Sequence, residues 1–303
     1  MALILIASLF SSINAYAHGT VGDYTFLEPI VADDANPKNE LDLLRPQWTR
    51  MAGCRVFSLG FSLEKVIAAS TPELTSNGVA NDGLVSLTLG DDWIYQSPRR
   101  GKSASGFNEL ELLPKWAFLT MPEHEFRLSL GMRIIIPAGS PSVEAQHHTQ
   151  LGPEFLWVKG MGELGNDGLI KYLRPFAVQG DFGYVPALGG RTWHEMFADN
   201  VIEYSMPYLN NNVKDLGLGW PLRNLYPYIE FNYDQLVSGP PGQTFPQIAA
   251  TPGIAFMNYY VELSIATQFA LNHASVAGNH ATVIGLLDLF IDDIFPPTNW
   301  TPL

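Results

Sequence analysis

Of the 303 residues, 47% are hydrophobic and only 16% charged, with a net charge of −13. Charged residues make up roughly 25% of an ordinary soluble domain, and the acidic balance argues against a nucleic-acid partner, because phosphate binding needs clustered Lys and Arg. The lone Cys54 excludes a disulfide framework, and beyond residue 17 no run of 18 apolar residues is available for a transmembrane helix. A chain this apolar must bury its surface in a large core or present it to lipid on a barrel.

Residues 2–10 are an apolar run, followed by Ser11, Ser12 and the small-residue pattern Ala15-Tyr16-Ala17. That order predicts a signal peptide over residues 1–17 and a mature chain from His18, although no Lys or Arg precedes the apolar run. Residues 18–40 carry Asp33, Asp34, Asn36, Asn39 and Glu40, and read as a solvated, acidic periplasmic arm. Calcium binding there is disfavoured, because the stretch lacks the Gly of an EF-hand loop and Pro37 and Lys38 interrupt it.

From residue 41 period-two alternation dominates. At 126–134, Phe126, Leu128, Leu130, Met132 and Ile134 fall on one face, and Arg127, Ser129, Gly131 and Arg133 on the other. A strand separates the two sets, whereas a helix would scatter them. The same separation recurs at 57–64, 202–208, 227–234 and 259–272. Strands are predicted at 41–50, 55–67, 83–95, 107–120, 124–137, 150–160, 173–186, 200–209, 224–236, 246–257, 259–271 and 279–292. Pro46 and Asp91 interrupt two of these patterns. About twelve strands, an even number, predict a single-domain, all-β, antiparallel up-and-down transmembrane β-barrel over residues 41–303.

The polar faces are rich in Ser, Gly, Ala, Gln and Asn, which suits a lumen better than the surface of a soluble sheet. Aromatic residues crowd the strand ends, among them Trp48, Trp93, Tyr95, Trp157, Tyr184, Tyr204, Tyr208, Tyr226, Tyr228, Tyr259 and Tyr260. They are expected to form interfacial girdles. Tight turns at 121–124 and 257–258 are assigned to the periplasmic side and longer loops at 97–106, 138–149, 187–199 and 237–246 to the exterior. The long segments 68–82 and 210–223 break that asymmetry. Glu109, Glu111 and Lys115 on one strand, Arg127 and Arg133 on its hairpin partner, and Glu64, Glu230, Asp234 and Glu262 elsewhere are expected to line the lumen. Such charges either border a permeation path or form a structural ion-pair network. A water-filled lumen would tolerate an Arg at position 129, whereas Leu130 should face lipid.

The hairpin Asn108-Glu109-Leu110-Glu111, Lys115-Trp116-Ala117-Phe118, Pro122-Glu123-His124-Glu125-Phe126 and Ser129-Leu130-Gly131, closed by Ile136-Pro137-Ala138-Gly139, resembles outer-membrane transporter-like barrels of the phenol-degradation-pathway type. The resemblance implies a lipid-embedded barrel in the cell outer membrane that passes small or hydrophobic molecules, and it carries no catalytic residue across. Its partners would be membrane lipid, a small-molecule solute and the outer-membrane assembly machinery. Many such barrels end on an aromatic residue of the last strand; here Asn299-Trp300-Thr301-Pro302-Leu303 follows it.

No cofactor or metal is expected, and no catalytic motif favours an enzyme. Two rival readings are a barrel-embedded hydrolase using His273 and Ser275 and a secreted, soluble β-sandwich holding copper at His18. For that copper site His147 and His148 are the conceivable partners, though nothing in their spacing selects them. N-terminal sequencing of the exported protein should begin at His18; a product beginning at Met1 would exclude the signal peptide.

Overall fold

The computed structural model describes residues 19–51, 53–69, 83–143, 148–189, 194–238, 244–272 and 281–295. The predicted signal segment, His18, His147, His273 and Ser275 lie outside the described residues.

In the N-terminal arm, β1 (Thr20–Val21) and β2 (Tyr24–Thr25) form a small hairpin. Twelve antiparallel strands then follow, each hydrogen-bonded to the next. They are β3 (Glu40–Met51), β4 (Cys54–Ala69), β5 (Gly83–Pro98), β7 (Leu110–Met121), β8 (Phe126–Ile136), β9 (Gln150–Gly160), β10 (Phe176–Pro186), β11 (His194–Tyr204), β12 (Leu225–Ser238), β13 (Gln247–Met257), β14 (Val261–Ala270) and β15 (Ala281–Phe290). The short β6 (Ala104–Phe107) adds to β5 beside the circuit. β15 pairs with β3, and this closes the sheet into an up-and-down barrel. Closure removes every free edge among the twelve, as a bilayer requires, and rules out the soluble-sandwich alternative.

Local chemistry explains where strands bend or stop. Pro46 is accommodated beside a register shift between Asp42 and Arg45, so β3 continues through it. β5 likewise runs unbroken through Asp91. β11 begins before residue 200 and stops short of 209. Ser205 ends it by accepting the Tyr208 N–H at 3.1 Å, which caps the short helix Met206–Tyr208, and Pro207 in that helix has no N–H for a ladder. The alternating pattern read at 202–208 therefore runs past the true strand end.

Loop lengths are less asymmetric than expected. At the end that holds the arm, the turns 122–125 and 258–260 are short, but 161–175 and 205–224 are long. At the opposite end, Met51 pairs directly with Cys54 across a two-residue connection, where Gly53 adopts φ 83°.

The two faces of the wall separate as the alternation predicts. Along β8, Arg127, Ser129 and Gly131 are buried inward while Leu130 and Met132 are exposed outward. Leu89, Trp116, Phe155, Phe182, Phe231, Ile254, Leu263, Ile265 and Val283 extend this exposed apolar band around the barrel. Each strand has 10–16 residues, enough for the 9–11 that cross a bilayer. Trp48, Phe57, Trp93 and Tyr95 form a chain of ring contacts of 5.0–6.5 Å at the end remote from the arm, as a girdle should. Three residues expected in the girdles are elsewhere: Tyr208, Tyr226 and Tyr228 are buried on the inside.

The principal departure concerns the arm. Expected in the periplasm, residues 19–39 instead enter the barrel. Leu27, Ile30 and Ala32 pack against Val201, Tyr226, Tyr228, Ala255, Ile284 and Leu286 on the inner wall. Val21, Tyr24, Phe26 and Ala35 pack against Leu156, Val158, Ala177 and Tyr208. The acidic composition suggested solvation, but the apolar residues between the acids find inward-facing apolar residues on the wall. Burial of side chains of this size stabilises by about 1.5–3 kcal/mol each.

The same burial corrects the expectation for position 129. Ser129 is fully buried, and its hydroxyl donates to the Ala35 carbonyl at 2.5 Å. Leu130→Arg should cost about 2–4 kcal/mol by placing a guanidinium in lipid. Ser129→Arg should now cost a similar amount, on the order of 3 kcal/mol, by colliding with the arm. Unfolding in lipid vesicles tests both. Removing residues 19–38 should relieve the Ser129→Arg penalty and leave that of Leu130→Arg unchanged.

Candidate functional site

An extended segment inside a barrel has no neighbouring strand, so each of its N–H and C=O groups needs another partner. The wall supplies acceptors as carboxylates. Glu230 takes the Ile30 N–H at 2.7 Å on one oxygen, and those of Val31 and Ala32 at 3.1 and 3.2 Å on the other. Glu203 takes Leu27 N–H at 3.2 Å, Glu262 takes that of Glu28 at 3.0 Å, Asp181 that of Asp33 at 2.6 Å, and Glu64 that of Lys38 at 3.0 Å. Donors face the arm carbonyls in turn. Gln179 donates to Leu27 at 3.0 Å, Lys115 to Asp34 at 2.7 Å, and Ser129 to Ala35. Acceptors and donors come from seven of the twelve strands, β4, β7, β8, β10, β11, β12 and β14, so more than half of the barrel wall holds the arm.

Ion pairs reinforce this docking. Lys38 sits within 2.5–3.0 Å of Glu28, Asp34 and Glu40. Burial alone would lower the Lys38 pKa, but Asp34, Glu28 and Glu40 outweigh it and raise it well above that of a free lysine. Lys115 pairs with Glu64 at 3.1 Å. Arg127 donates to the Asn36 side chain at 2.9 Å. Arg133 binds Asp33, Glu111 and Glu154 together, the last at 2.9 Å, and stacks over the Phe197 ring at 4.7 Å.

At the level of the strand ends remote from the arm hairpin, the lumen opens into a cavity of about 440 Å3. Val31 of the arm lies at its floor, and Glu109, Glu111, Glu195, Asp199 and Asp234 surround it, with Arg133 as the cationic group among them. The structure thus divides the nine sequence-derived candidates. Glu109, Glu111, Arg133 and Asp234 border this vestibule. Glu64, Lys115, Arg127, Glu230 and Glu262 are buried deeper against the arm. Sequence reasoning missed Glu154, Asp181, Glu195, Asp199 and Glu203. Glu195 and Asp199 were assigned to a loop that is in fact the first half of β11. Asp181 and Glu154 lie inside predicted strands, at 173–186 and 150–160, and the two-residue period of those strands is the signal that could have found them.

At the arm end, Glu125 occupies the left-handed region at φ 47° and accepts the Gly162 N–H at 2.7 Å. Burial raises its pKa. A Cβ at Gly160 or Gly162 would collide with its carboxylate, at 2.2 Å in each case, which explains why two glycines flank this contact.

No protein-family model matches the chain, and no curated protein sequence is significantly similar to it. Among solved structures, the chain is similar to an outer membrane channel from Pseudomonas putida F1, with TM-score 0.57, 10% identity, and coverage of 88% of this chain and 99% of that one. It also aligns with the outer membrane phospholipase A from Escherichia coli at TM-score 0.41 and 9% identity, covering 91% and 98% of the two chains. At 10% identity the likeness to the channel is one of fold, that of an outer-membrane β-barrel.

Glu230 concentrates three main-chain hydrogen bonds on one carboxylate, so Glu230→Ala should lower stability by at least about 3 kcal/mol, since each bond to a charged group contributes roughly 1.5–3. Glu230→Gln should be only partly rescued, because its amide nitrogen would meet an N–H. Limited proteolysis of the arm in detergent-folded protein measures both, and an unchanged cleavage rate would contradict the docking role of Glu230.

Proposed function

We propose that the protein is a passive outer-membrane channel for small molecules, held closed in this state by its N-terminal arm. The observation that carries this reading is the vestibule, a polar cavity of about 440 Å3 that opens inside the lumen and ends on Val31 of the arm. A wall that only needed to be filled would have no reason to keep a polar chamber above the plug. The channel named in the Pseudomonas putida structure and the resemblance to phenol-degradation-type transporter-like barrels agree with it, as analogies of fold. The acidic lining favours cationic over anionic solutes, since a ring of carboxylates raises the local concentration of positive charge. Passage requires the arm to shift, because its backbone is bonded to the wall from Leu27 to Lys38.

Conductance in planar bilayers tests the proposal. The full chain should give small, cation-preferring currents, and removal of residues 19–38 should raise them several-fold. Glu109→Gln with Asp234→Asn should weaken the cation preference without changing the folded yield. A correctly folded arm-deleted barrel that conducts no more than the full chain would overturn the channel reading.

A further inference from the structure

We infer that the lipid-facing wall binds one glycerophospholipid at the arm end, with an acyl chain in an apolar groove across β12–β15 and β3 and its phosphate at Arg223. The groove measures about 740 Å3. Its course follows from the sheet register. Leu225, Phe256, Leu263, Leu287 and Leu44 pair in turn on β12, β13, β14, β15 and β3. Counted from the arm end, they are residues one to five of their strands, so the row runs one residue deeper into the membrane on each strand. Five strands about 4.8 Å apart span about 19 Å, against about 15 Å for the hydrocarbon of one leaflet.

The next outward row makes this a groove and not a flat band. There Ile265 of β14 pairs with Gly285 of β15, which has no side chain. A Cβ at Gly285 would come within 3.3 Å of the Pro46 ring of β3, so two short groups lie side by side in the exposed band. Trp48, which is 64% exposed, bounds the groove at its deep end. Ser264, the polar side chain along it, is turned inward and bonded to Tyr228 at 2.6 Å. The groove itself therefore offers contacts to a hydrocarbon chain and to nothing polar.

The loop between β11 and β12 supplies the head end. Trp220 packs edge-on against the outward Phe256 ring at 6.1 Å, and the Asn224 side chain donates to the Met257 carbonyl at 2.9 Å. These two anchors fasten the loop over the shallow end of the groove. Arg223 lies between them, exposed, and among the described residues no hydrogen bond or ion pair holds its guanidinium. Tryptophan favours the membrane interface, and a guanidinium can take two phosphate oxygens at once. In a chain of net charge −13, an unpaired arginine at the mouth of an apolar groove fits an amphiphile that brings both a tail and an anion. The bilayer against which this wall stands supplies one.

Native mass spectrometry of detergent-folded full-length protein mixed with phosphatidylglycerol tests the site. One lipid per chain should remain bound at a collision energy that removes the others. Gly285→Leu fills the groove and Arg223→Gln removes the head contact, so each should lower the retained fraction at least fivefold, while Lys102→Gln at the opposite end should not. An excess of inorganic phosphate should not displace the lipid. In vesicles of phosphatidylglycerol with brominated acyl chains, Trp220 fluorescence, read as the difference from Trp220→Phe, should be quenched, and aqueous iodide should have little effect on it. Arg223→Gln alters only an exposed loop residue, so it reports on the site even where Gly285→Leu hinders folding, which the shift between unboiled and boiled gel mobility detects. The inference fails if no lipid is retained, if either folded variant retains it as well as the wild type, or if inorganic phosphate displaces it. It fails equally if a dimer of the chain replaces the lipid adduct, or if iodide quenches Trp220 and brominated chains do not. These measurements read lipid binding whether or not the barrel conducts.

Discussion

A peptide threaded through a barrel has no strand beside it, so its main-chain N–H groups must be met by side chains or left bare in a dry interior. Most of what is distinctive in this molecule answers that constraint. Glu64, Asp181, Glu203, Glu230 and Glu262 each point a carboxylate at the arm backbone. A carboxylate accepts several bonds at once and donates none, which makes it the efficient partner for consecutive N–H groups. Serving as acceptors for uncharged amides, these acids accumulate without an equal number of bases. The acidic interior is therefore a consequence of how the arm is held.

The apolar contacts and the hydrogen bonds divide the arm between them. Side chains of Phe26, Leu27 and Ile30 pack on inward-facing apolar residues of the wall, while the backbone between them bonds to carboxylates. β15 shows the cost to the wall. Ile284 and Leu286 are buried toward the arm while Val283 faces outward, so this strand is apolar on both faces where a simple aqueous pore would alternate. Above Val31 the arm no longer fills the lumen, and the lining becomes polar. The packed and the open part of the barrel differ in what lies opposite the wall, and the wall sequence follows that difference.

Closure of the sheet and docking of the arm depend on each other. Each lumenal acid is positioned by a strand whose neighbours fix its height and direction, and the arm bridges strands on opposite sides of the circuit. The wall contacts run along the arm from Leu27 to Lys38, so its place depends on several strands at once.

What the sequence determined by itself is the wall. Alternation in runs such as 126–134 and 259–272 states which residues face lipid and which face the lumen, because side-chain direction in a strand has a period of two wherever the sheet is flat enough to hold it. That local rule yielded twelve strands and the lumenal phase of Arg127, Arg133, Glu230 and Glu262. It erred where local chemistry interrupts the period, as at Ser205 and Pro207, or where a turn-rich composition hides a strand start, as at His194. The place of the arm was decided only by the tertiary structure. Asp33 looks solvated in sequence because its partner Arg133 is 100 residues away, and the main-chain groups of Asp34 and Lys38 meet Lys115 and Glu64 at separations of 81 and 26 residues; no periodicity within the arm encodes the wall that receives it. The vestibule floor has the same origin: Asp33, Glu154 and Asp181 meet only when the barrel has closed and the arm has entered it.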